Sequence, residues 1–330
     1  MSRIAILGAG AWGTALTISL ARRGGHSLVL WSYSPELAEQ MTETGENVPF
    51  LPGYTVPADV EVTSDLVASV FEADIVLCVP PSEHMRRVFG QIAPVLTRDQ
   101  IVVSATKGLE EPSLLRMSQV IASMTNNVCG VLSGPSFAAE VAAGIPTAIV
   151  AAATKSEVAL KIQREFSSPT LRLYTNDDVA GVELGGALKN VIALAAGVVH
   201  GLDLGYNSGA ALITRGIAEI TRLAVACGGR RQTLAGLSGL GDLVLTCTGS
   251  LSRNRMVGTA LGQGRALPEI LEDLQGKVAE GIRSTTAALG LAARYGVEMP
   301  ITEQMDAILH RGKSPKEAIR ELMARPGRDE

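Results

Sequence analysis

Lys189 and Asn190 interrupt residues 182–199, a stretch otherwise built from Gly, Ala, Leu, Ile and Val after Glu183. Burying an ammonium without a partner is so costly that the group pairs or gives up its proton, which makes Lys189 a candidate acid or base. A second reading stands beside it, in which the lysine stem packs on apolar surface and its head reaches water. Four more polar clusters break apolar or glycine-rich sequence: Thr106-Lys107-Gly108-Leu109-Glu110, Ser133-Gly134-Pro135-Ser136-Phe137-Ala138, Gly239-Leu240-Gly241-Asp242 and Ser252-Arg253-Asn254-Arg255. Taken singly, each also reads as a turn, a helix cap or a solvated helix start.

A third kind of chemistry is written at the start of the chain. Gly8-Ala9-Gly10-Ala11-Trp12-Gly13 follows an apolar run and opens a helical pattern through Ala15, Leu16, Ile18 and Leu20. In that context the first glycine makes a tight turn, the second lets backbone amides approach a pyrophosphate, and the third lets helix pack closely on strand. Dinucleotide binding is therefore expected at Gly8, Gly10, Ala11, Trp12 and Gly13. About 20 residues on, where an acid would grip a ribose 2′-hydroxyl, stands Trp31-Ser32-Tyr33-Ser34. Neither an acid nor an arginine is there, so the hydroxyls of Ser32, Tyr33 and Ser34 are the local candidates and the choice between NADP and NAD stays open.

These residues need elements to hold them. Up to about Tyr174, short apolar runs (4–7, 28–31, 75–79, 101–104, 128–132, 148–152) alternate with helical patterns, the rhythm of βαβ units on a mostly parallel sheet. After about Asn176 such runs vanish and long Ala- and Leu-rich segments follow. The expected fold is α/β: a dinucleotide-binding domain at 1–177, then an all-helical substrate domain at 178–330. The turn at Tyr174-Thr175-Asn176-Asp177-Asp178 separates them, with Asp177 or Asp178 able to cap the next helix. In the first domain, the Lys107 and Gly134–Ser136 clusters follow strands, and strand carboxyl ends are where open α/β sheets bind ligands.

Composition narrows the function classes. With 46% hydrophobic and 19% charged residues and a formal net charge of -4, the chain has no Lys/Arg run beyond doublets such as Arg22-Arg23, Arg86-Arg87 and Arg230-Arg231, so nucleic acid is not expected as a partner. The four cysteines lack CxxC spacing and read as reduced core residues, and the four histidines lack ligand spacing, so no metal is expected. No leader and no apolar run of membrane length is apparent, which makes a cytoplasmic protein the expectation.

Gly-Ala-Leu-Lys-Asn at 186–190, Lys107-Gly108-Leu109-Glu110, Gly134-Pro135-Ser136-Phe137-Ala138, Gly241-Asp242-Leu243 and Ser252-Arg253-Asn254-Arg255 together resemble the NAD(P)-dependent sn-glycerol-3-phosphate dehydrogenases of bacterial type. The resemblance covers nearly the whole chain and implies a Rossmann domain followed by an all-α domain. It implies reversible reduction of dihydroxyacetone phosphate to sn-glycerol 3-phosphate for glycerophospholipid synthesis, with NADP or NAD as cofactor. Lys189 corresponds to the proton acceptor from the C2 hydroxyl. Free lysine titrates near 10.4, so work near neutrality asks for a lowered pKa; a nearby Lys107 would lower it and Asp242 would oppose that.

By the same correspondence Lys107 contacts cofactor and substrate. Gly134, Ser136, Asp242, Ser252, Arg253 and Asn254 touch the substrate, with the Arg253 fork suited to phosphate. Ala138, Val278, Glu280 and again Arg253 touch the cofactor. The departure lies at Ser32-Tyr33, where many relatives carry a basic residue beside the ribose. Thr246, four residues past Asp242, is a candidate to line the site, but a helix-interior threonine also has a packing explanation. A homodimer is expected, and the competing readings are a β-hydroxyacid dehydrogenase and a non-catalytic dinucleotide sensor.

Overall fold

The structure, a computed structural model, describes residues 1–274 and 279–327. The chain forms two compact units, Met1–Glu183 and Leu184–Glu330. In the first, the strands are β1 (Ser2–Leu7), β2 (His26–Trp31), β3 (Glu46–Asn47), β4 (Leu51–Thr55), β5 (Glu61–Thr63), β6 (Ile75–Cys78), β7 (Ile101–Ser104), β8 (Cys129–Ser133), β9 (Thr147–Ala153) and β10 (Leu171–Asn176). Helices α1 (Ala11–Arg23), α2 (Pro35–Thr44), α3 (Leu66–Ser69), α4 (Ser82–Ile92), α5 (Met117–Ala122), α6 (Ala138–Ala143) and α7 (Ser156–Phe166) connect them.

Eight strands pair in the order β10-β9-β8-β7-β6-β1-β2-β5, all parallel except the β8–β9 pair. The mostly parallel sheet and its βαβ rhythm are those read from the sequence. β6 (Ile-Val-Leu-Cys) and β7 (Ile-Val-Val-Ser) are buried at every position, as strands covered on both faces must be. Two core clusters, one on each face, hold the layers together, with Ile4, Ile6, Leu16 and Leu30 in one and Ala5, Leu7, Val76 and Phe89 in the other. The edges escaped the sequence reading. β5 is three residues long, and β10 alternates buried Leu171 and Leu173 with exposed Arg172 and Tyr174, so neither forms a continuous apolar run.

The second unit contains, among its described residues, helices alone. They are α8 (Val179–Gly201, which begins in the first unit), α9 (Gly205–Ala226), α10 (Arg231–Leu234), α11 (Asp242–Thr248), α12 (Arg253–Gly262), α13 (Leu267–Asp273), α14 (Glu280–Tyr295), α15 (Pro300–Arg311) and α16 (Pro315–Met323). Asp178 caps α8, its carboxylate accepting from the Gly181 amide at 2.8 Å. Glu183 ties the first turns of α8 to the sheet unit: it accepts from the Ser118 amide (2.8 Å) and hydroxyl (2.6 Å) and pairs with Arg116. The division between units therefore falls inside α8, beyond the turn at 174–178.

The expectation of no apolar run of membrane length needs correction. Val179–Gly201 is long enough and, at a mean hydropathy of 1.5, apolar enough, yet 94% of its most apolar window is buried within the protein. A helix apolar all round belongs in a core, and α8 is buried at every residue from 181 to 198. It crosses α12 backbone to backbone. A Cβ on Gly197 would lie 2.1 Å from the Arg255 carbonyl oxygen, and one on Gly258 2.0 Å from that of Leu194. Gly201 and Gly262 repeat the contact one turn on. Glu219 on α9, fully buried, accepts from the Ile301 and Thr302 amides at 2.9 Å and from the Thr302 hydroxyl at 2.7 Å, which clips the start of α15 to α9.

Candidate active site

Lys189 lies midway along α8 with 7% of its surface exposed. Its Nζ donates to Asp242 Oδ1 and to Thr246 Oγ1, the latter at 2.7 Å. Asp242 is wholly buried at the start of α11, and the Thr246 hydroxyl donates to the Asp242 carbonyl at 2.7 Å, so it must accept from the lysine. The reading in which the Lys189 head reaches bulk water is thereby excluded. The one-turn spacing of Asp242 and Thr246 sets both oxygens on one face of α11. Gly185 allows α8 close enough to receive them, since a Cβ there would meet the Ser238 carbonyl oxygen at 2.4 Å. Cys247, next along, has its pKa pushed up to about 12, chiefly by burial, with Lys189 and Arg255 pulling the other way; it stays a neutral thiol beside the ion pair.

Asn190 turns to the opposite partner: its Nδ2 donates to Glu280 Oε2 at 3.0 Å, in the first turn of α14. At the start of α12, the Ser252 hydroxyl oxygen accepts from the Arg255 amide at 3.2 Å as a cap, and Asn254 Oδ1 accepts from the Gly281 amide at 2.9 Å. Both side chains are buried and brace the chain, whereas Arg253 between them is exposed. Val278 lies outside the described residues.

In the first unit the glycine loop has the shape a dinucleotide needs. Gly8 sits at φ +126° with the Val79 carbonyl 3.0 Å from where a Cβ would be, and a Cβ on Gly13 would strike the Gly8 carbonyl oxygen at 1.9 Å. Around Gly10 there is open space, and α1 begins there without a side-chain cap, leaving amide hydrogens for a pyrophosphate. Ala11 and Trp12 form the first, half-buried positions of α1. These residues fit NAD or NADP.

Lys107 follows β7, and its Nζ donates to the Gly134 carbonyl at 3.1 Å. The Ser136 hydroxyl donates to that same carbonyl at 3.0 Å. Gly134, Ser136 and Lys107 thus form one cluster beyond the carboxyl ends of β7 and β8, with Ala138 opening α6 just after. The buried hydroxyls of Ser104 and Ser133 end those two strands without a hydrogen-bond partner among the described residues. The Lys107 segment is anchored by Glu110, gripped in a two-pronged bond by Arg86 from α4 at 2.6 and 2.8 Å and also by the Ser113 hydroxyl. The Arg86 bond, helped by Ser113, lowers the Glu110 pKa against the effect of burial.

At the end of β2 the Ser32 hydroxyl is buried and engaged within its own turn, donating to the Ser34 carbonyl at 3.0 Å. Ser34 caps α2 by accepting from the Leu37 amide at 3.1 Å. Tyr33 is 69% exposed, and Arg87 from α4 lies over its ring. The sequence expectation of no arginine at this strand end therefore holds along the chain but not in space.

Sequence comparison decides the family. The model for the NAD-dependent glycerol-3-phosphate dehydrogenase N-terminus matches residues 3–159, and that for its C-terminus matches residues 178–320. The chain is 60% identical over 338 aligned positions, the whole of both chains, to the glycerol-3-phosphate dehydrogenase (NAD(P)+) of Acidobacterium capsulatum. It belongs to the NAD-dependent glycerol-3-phosphate dehydrogenase family. The enzyme of the same name from Koribacter versatilis is 58% identical over all of this chain and 99% of its own. The crystal structure of glycerol-3-phosphate dehydrogenase from Coxiella burnetii superposes with a TM-score of 0.94 at 42% identity, covering 98% of this chain and 99% of that one. Family membership agrees with the sequence-motif resemblance and with a cofactor of the NAD(P) class. Among the described residues no His, Cys, Asp or Glu group has the arrangement of a metal site.

The roles of three residues, Thr246, Arg86 and Arg87, are not legible in the sequence. Thr246 looked like packing because nothing in its spacing distinguishes a lysine ligand from a core threonine. Arg86 and Arg87 looked like a solvated doublet; their different roles emerge once α4 places one against Glu110 and the other against Tyr33.

Proposed function

We propose that the protein catalyses the reversible NAD(P)H-dependent reduction of dihydroxyacetone phosphate to sn-glycerol 3-phosphate, supplying the glycerol backbone of phospholipids. The observation that carries the mechanism is the buried Lys189 Nζ held by Asp242 and Thr246. Gly8, Gly10, Ala11, Trp12 and Gly13, with Ala138, Glu280 and Arg253, would hold the dinucleotide, which when bound would supply or accept the hydride at substrate C2. Lys189 Nζ gives its proton to the C2 oxygen as the carbonyl is reduced and takes it back from the hydroxyl in the reverse direction. Asp242 and Thr246 hold Nζ in place and so fix the direction from which it meets the C2 oxygen.

Arg253, exposed at the head of α12, holds the phosphate in the fork geometry that suits paired oxygens, while Ser252 and Asn254 brace it. Lys107 and the Gly134–Ser136 loop complete the set as substrate and cofactor contacts. We read the chain as a cytoplasmic homodimer; Tyr206 and Leu204, exposed apolar residues at the start of α9, favour pairing through the helical unit. Sedimentation at twice the chain mass would support this, and the single-chain mass at micromolar concentration would overturn it.

The deciding assay follows absorbance at 340 nm with purified protein, dihydroxyacetone phosphate and NADPH or NADH. Loss of absorbance that depends on substrate is expected, and none with either cofactor would refute the reading. Arg253→Ala should raise KM for dihydroxyacetone phosphate by about tenfold or more, the worth of a charge-assisted bond.

A further inference from the structure

Resting on the dinucleotide reading above, we infer that Arg87, carried on α4 and laid over Tyr33, is the residue that recognises the 2′-phosphate of NADPH. In a dinucleotide-binding fold the end of the second strand faces the adenosine ribose; an acid there accepts from the 2′-hydroxyl of NADH, whereas a nearby arginine accommodates the 2′-phosphate of NADPH. Here that strand end is Trp31, followed by Ser32 and Tyr33. No acid occupies it, and the Ser32 hydroxyl is buried and used by its own turn. What remains open is Tyr33, with its ring and hydroxyl.

Arg87 reaches this place from α4, more than 50 positions along the chain. Its Cζ lies 4.9 Å from the centre of the Tyr33 ring, and its Nη1 is 3.5 Å from the Tyr33 hydroxyl. Tyr33 is itself set edge-on against Trp31, with ring centres 6.4 Å apart and planes at 77°. The Trp31 indole donates to the Ser64 carbonyl at 3.0 Å, so the platform is fixed to the sheet. A guanidinium held over an aromatic ring keeps further N–H groups for paired oxygens, and the ring contact limits the freedom an exposed arginine would otherwise lose on binding. The neighbouring Arg86 is committed to Glu110, so the doublet divides its work between holding the Lys107 segment and presenting a cation at β2.

One charge opposes the phosphate. Glu36, in the first turn of α2, accepts from the Ser34 hydroxyl at 2.6 Å, and that bond keeps its pKa low, so it is ionised wherever the enzyme works. Without Arg87 the β2 end would therefore repel a phosphate, which makes the arginine decisive for the choice of cofactor.

The test is equilibrium binding of NADPH and NADH, followed by nicotinamide fluorescence, to the full-length wild-type protein and to Arg87→Ala, Arg87→Lys and Tyr33→Ala. Arg87→Ala should weaken NADPH by about ten- to a hundredfold, the value of hydrogen bonds to a charged group, and leave NADH within about twofold. Arg87→Lys should restore part of the loss, Tyr33→Ala should reproduce part of it, and raising salt should erode the wild-type preference. Equal weakening of both cofactors, or no change in either, would overturn the role of Arg87 while leaving dinucleotide binding intact. Failure of the wild type to bind either cofactor would instead refute the dinucleotide reading on which this rests.

Discussion

A buried ammonium held by Asp242 and Thr246 makes Lys189 a structural group and, in the proposed mechanism, a chemical one, and its replacement should affect the two in separable ways. Lys189→Ala is expected to lower kcat by about 10²- to 10⁴-fold, the usual contribution of a positioned acid or base, while the Kd for NADPH stays near the wild-type value. A fully active variant would sink the proton-transfer role. Because the change leaves Asp242 buried without its cation, the variant should also be less stable by about 3–5 kcal/mol, and its folding must be checked by circular dichroism before its kinetics are read. Thr246→Val keeps the volume and removes one acceptor. A drop in kcat of about tenfold with an unchanged KM is expected if the hydroxyl orients the proton, and no change if it merely packs. The lysine was legible from the sequence because an ammonium inside an apolar run is an anomaly that needs a partner. Thr246 was not, since a threonine in a helix interior is ordinary until the lysine's position is known.

At the scale of elements, the close crossing of α8 and α12 ties the helix of Lys189, the proposed proton-transfer residue, to the helix that begins at Arg253. A methyl group on Gly258 would press on the Leu194 carbonyl at 2.0 Å, so the helices must part. Gly258→Ala should destabilise the protein by about 2 kcal/mol or more, within the range for overpacking, and should raise KM and lower kcat together because both ends of the substrate lose registration. Urea unfolding with parallel initial rates checks this; a wild-type midpoint with wild-type kinetics would show that the contact relaxes without consequence. Sequence reading found α8 from its long Ala- and Leu-rich run, α12 only as a helix start at Ser252-Arg253-Asn254-Arg255, and the central strands from their continuous apolar runs. It missed β5 and β10 because edge strands, half exposed, alternate rather than run. The glycines at 197, 201, 258 and 262 read as ordinary composition, since a close approach between two helices leaves no mark in either one alone.

For the whole molecule, the pH dependence of stability follows from thiols that the fold keeps protonated. Burial raises Cys78 and Cys247 from 9.0 to about 12. A group whose folded pKa stands above its unfolded value binds protons more tightly when folded, so its contribution is complete below pH 9 and is lost as pH rises towards 12. At pH 10 the loss should be about 1 kcal/mol for each thiol. Urea midpoints measured from pH 8 to pH 10 should fall accordingly, and Cys78→Ala should flatten the slope; a midpoint that does not move would contradict it. The same burial should protect both thiols from Ellman's reagent at pH 8 until the protein unfolds. The α/β and all-helical halves were legible from periodicity alone. The division between them inside α8 was not, because it depends on Glu183 reaching Ser118 and Arg116 across 65 or more positions of sequence.

The glycine-on-glycine crossing of α8 and α12 has one more consequence. Where Gly197 and Gly201 meet Gly258 and Gly262 no side chain separates the two helices, so the spacing of their backbones there is set by main chain, which cannot change its rotamer to suit a guest. Under the proposed assignment of Lys189 and Arg253 to the two ends of the substrate, the crossing would act as a gauge of carbon-chain length. A phosphate ester with one extra methylene between its carbonyl and its phosphate would reach Arg253 with the carbonyl out of line with Nζ, and selectivity against it should appear in kcat more than in KM.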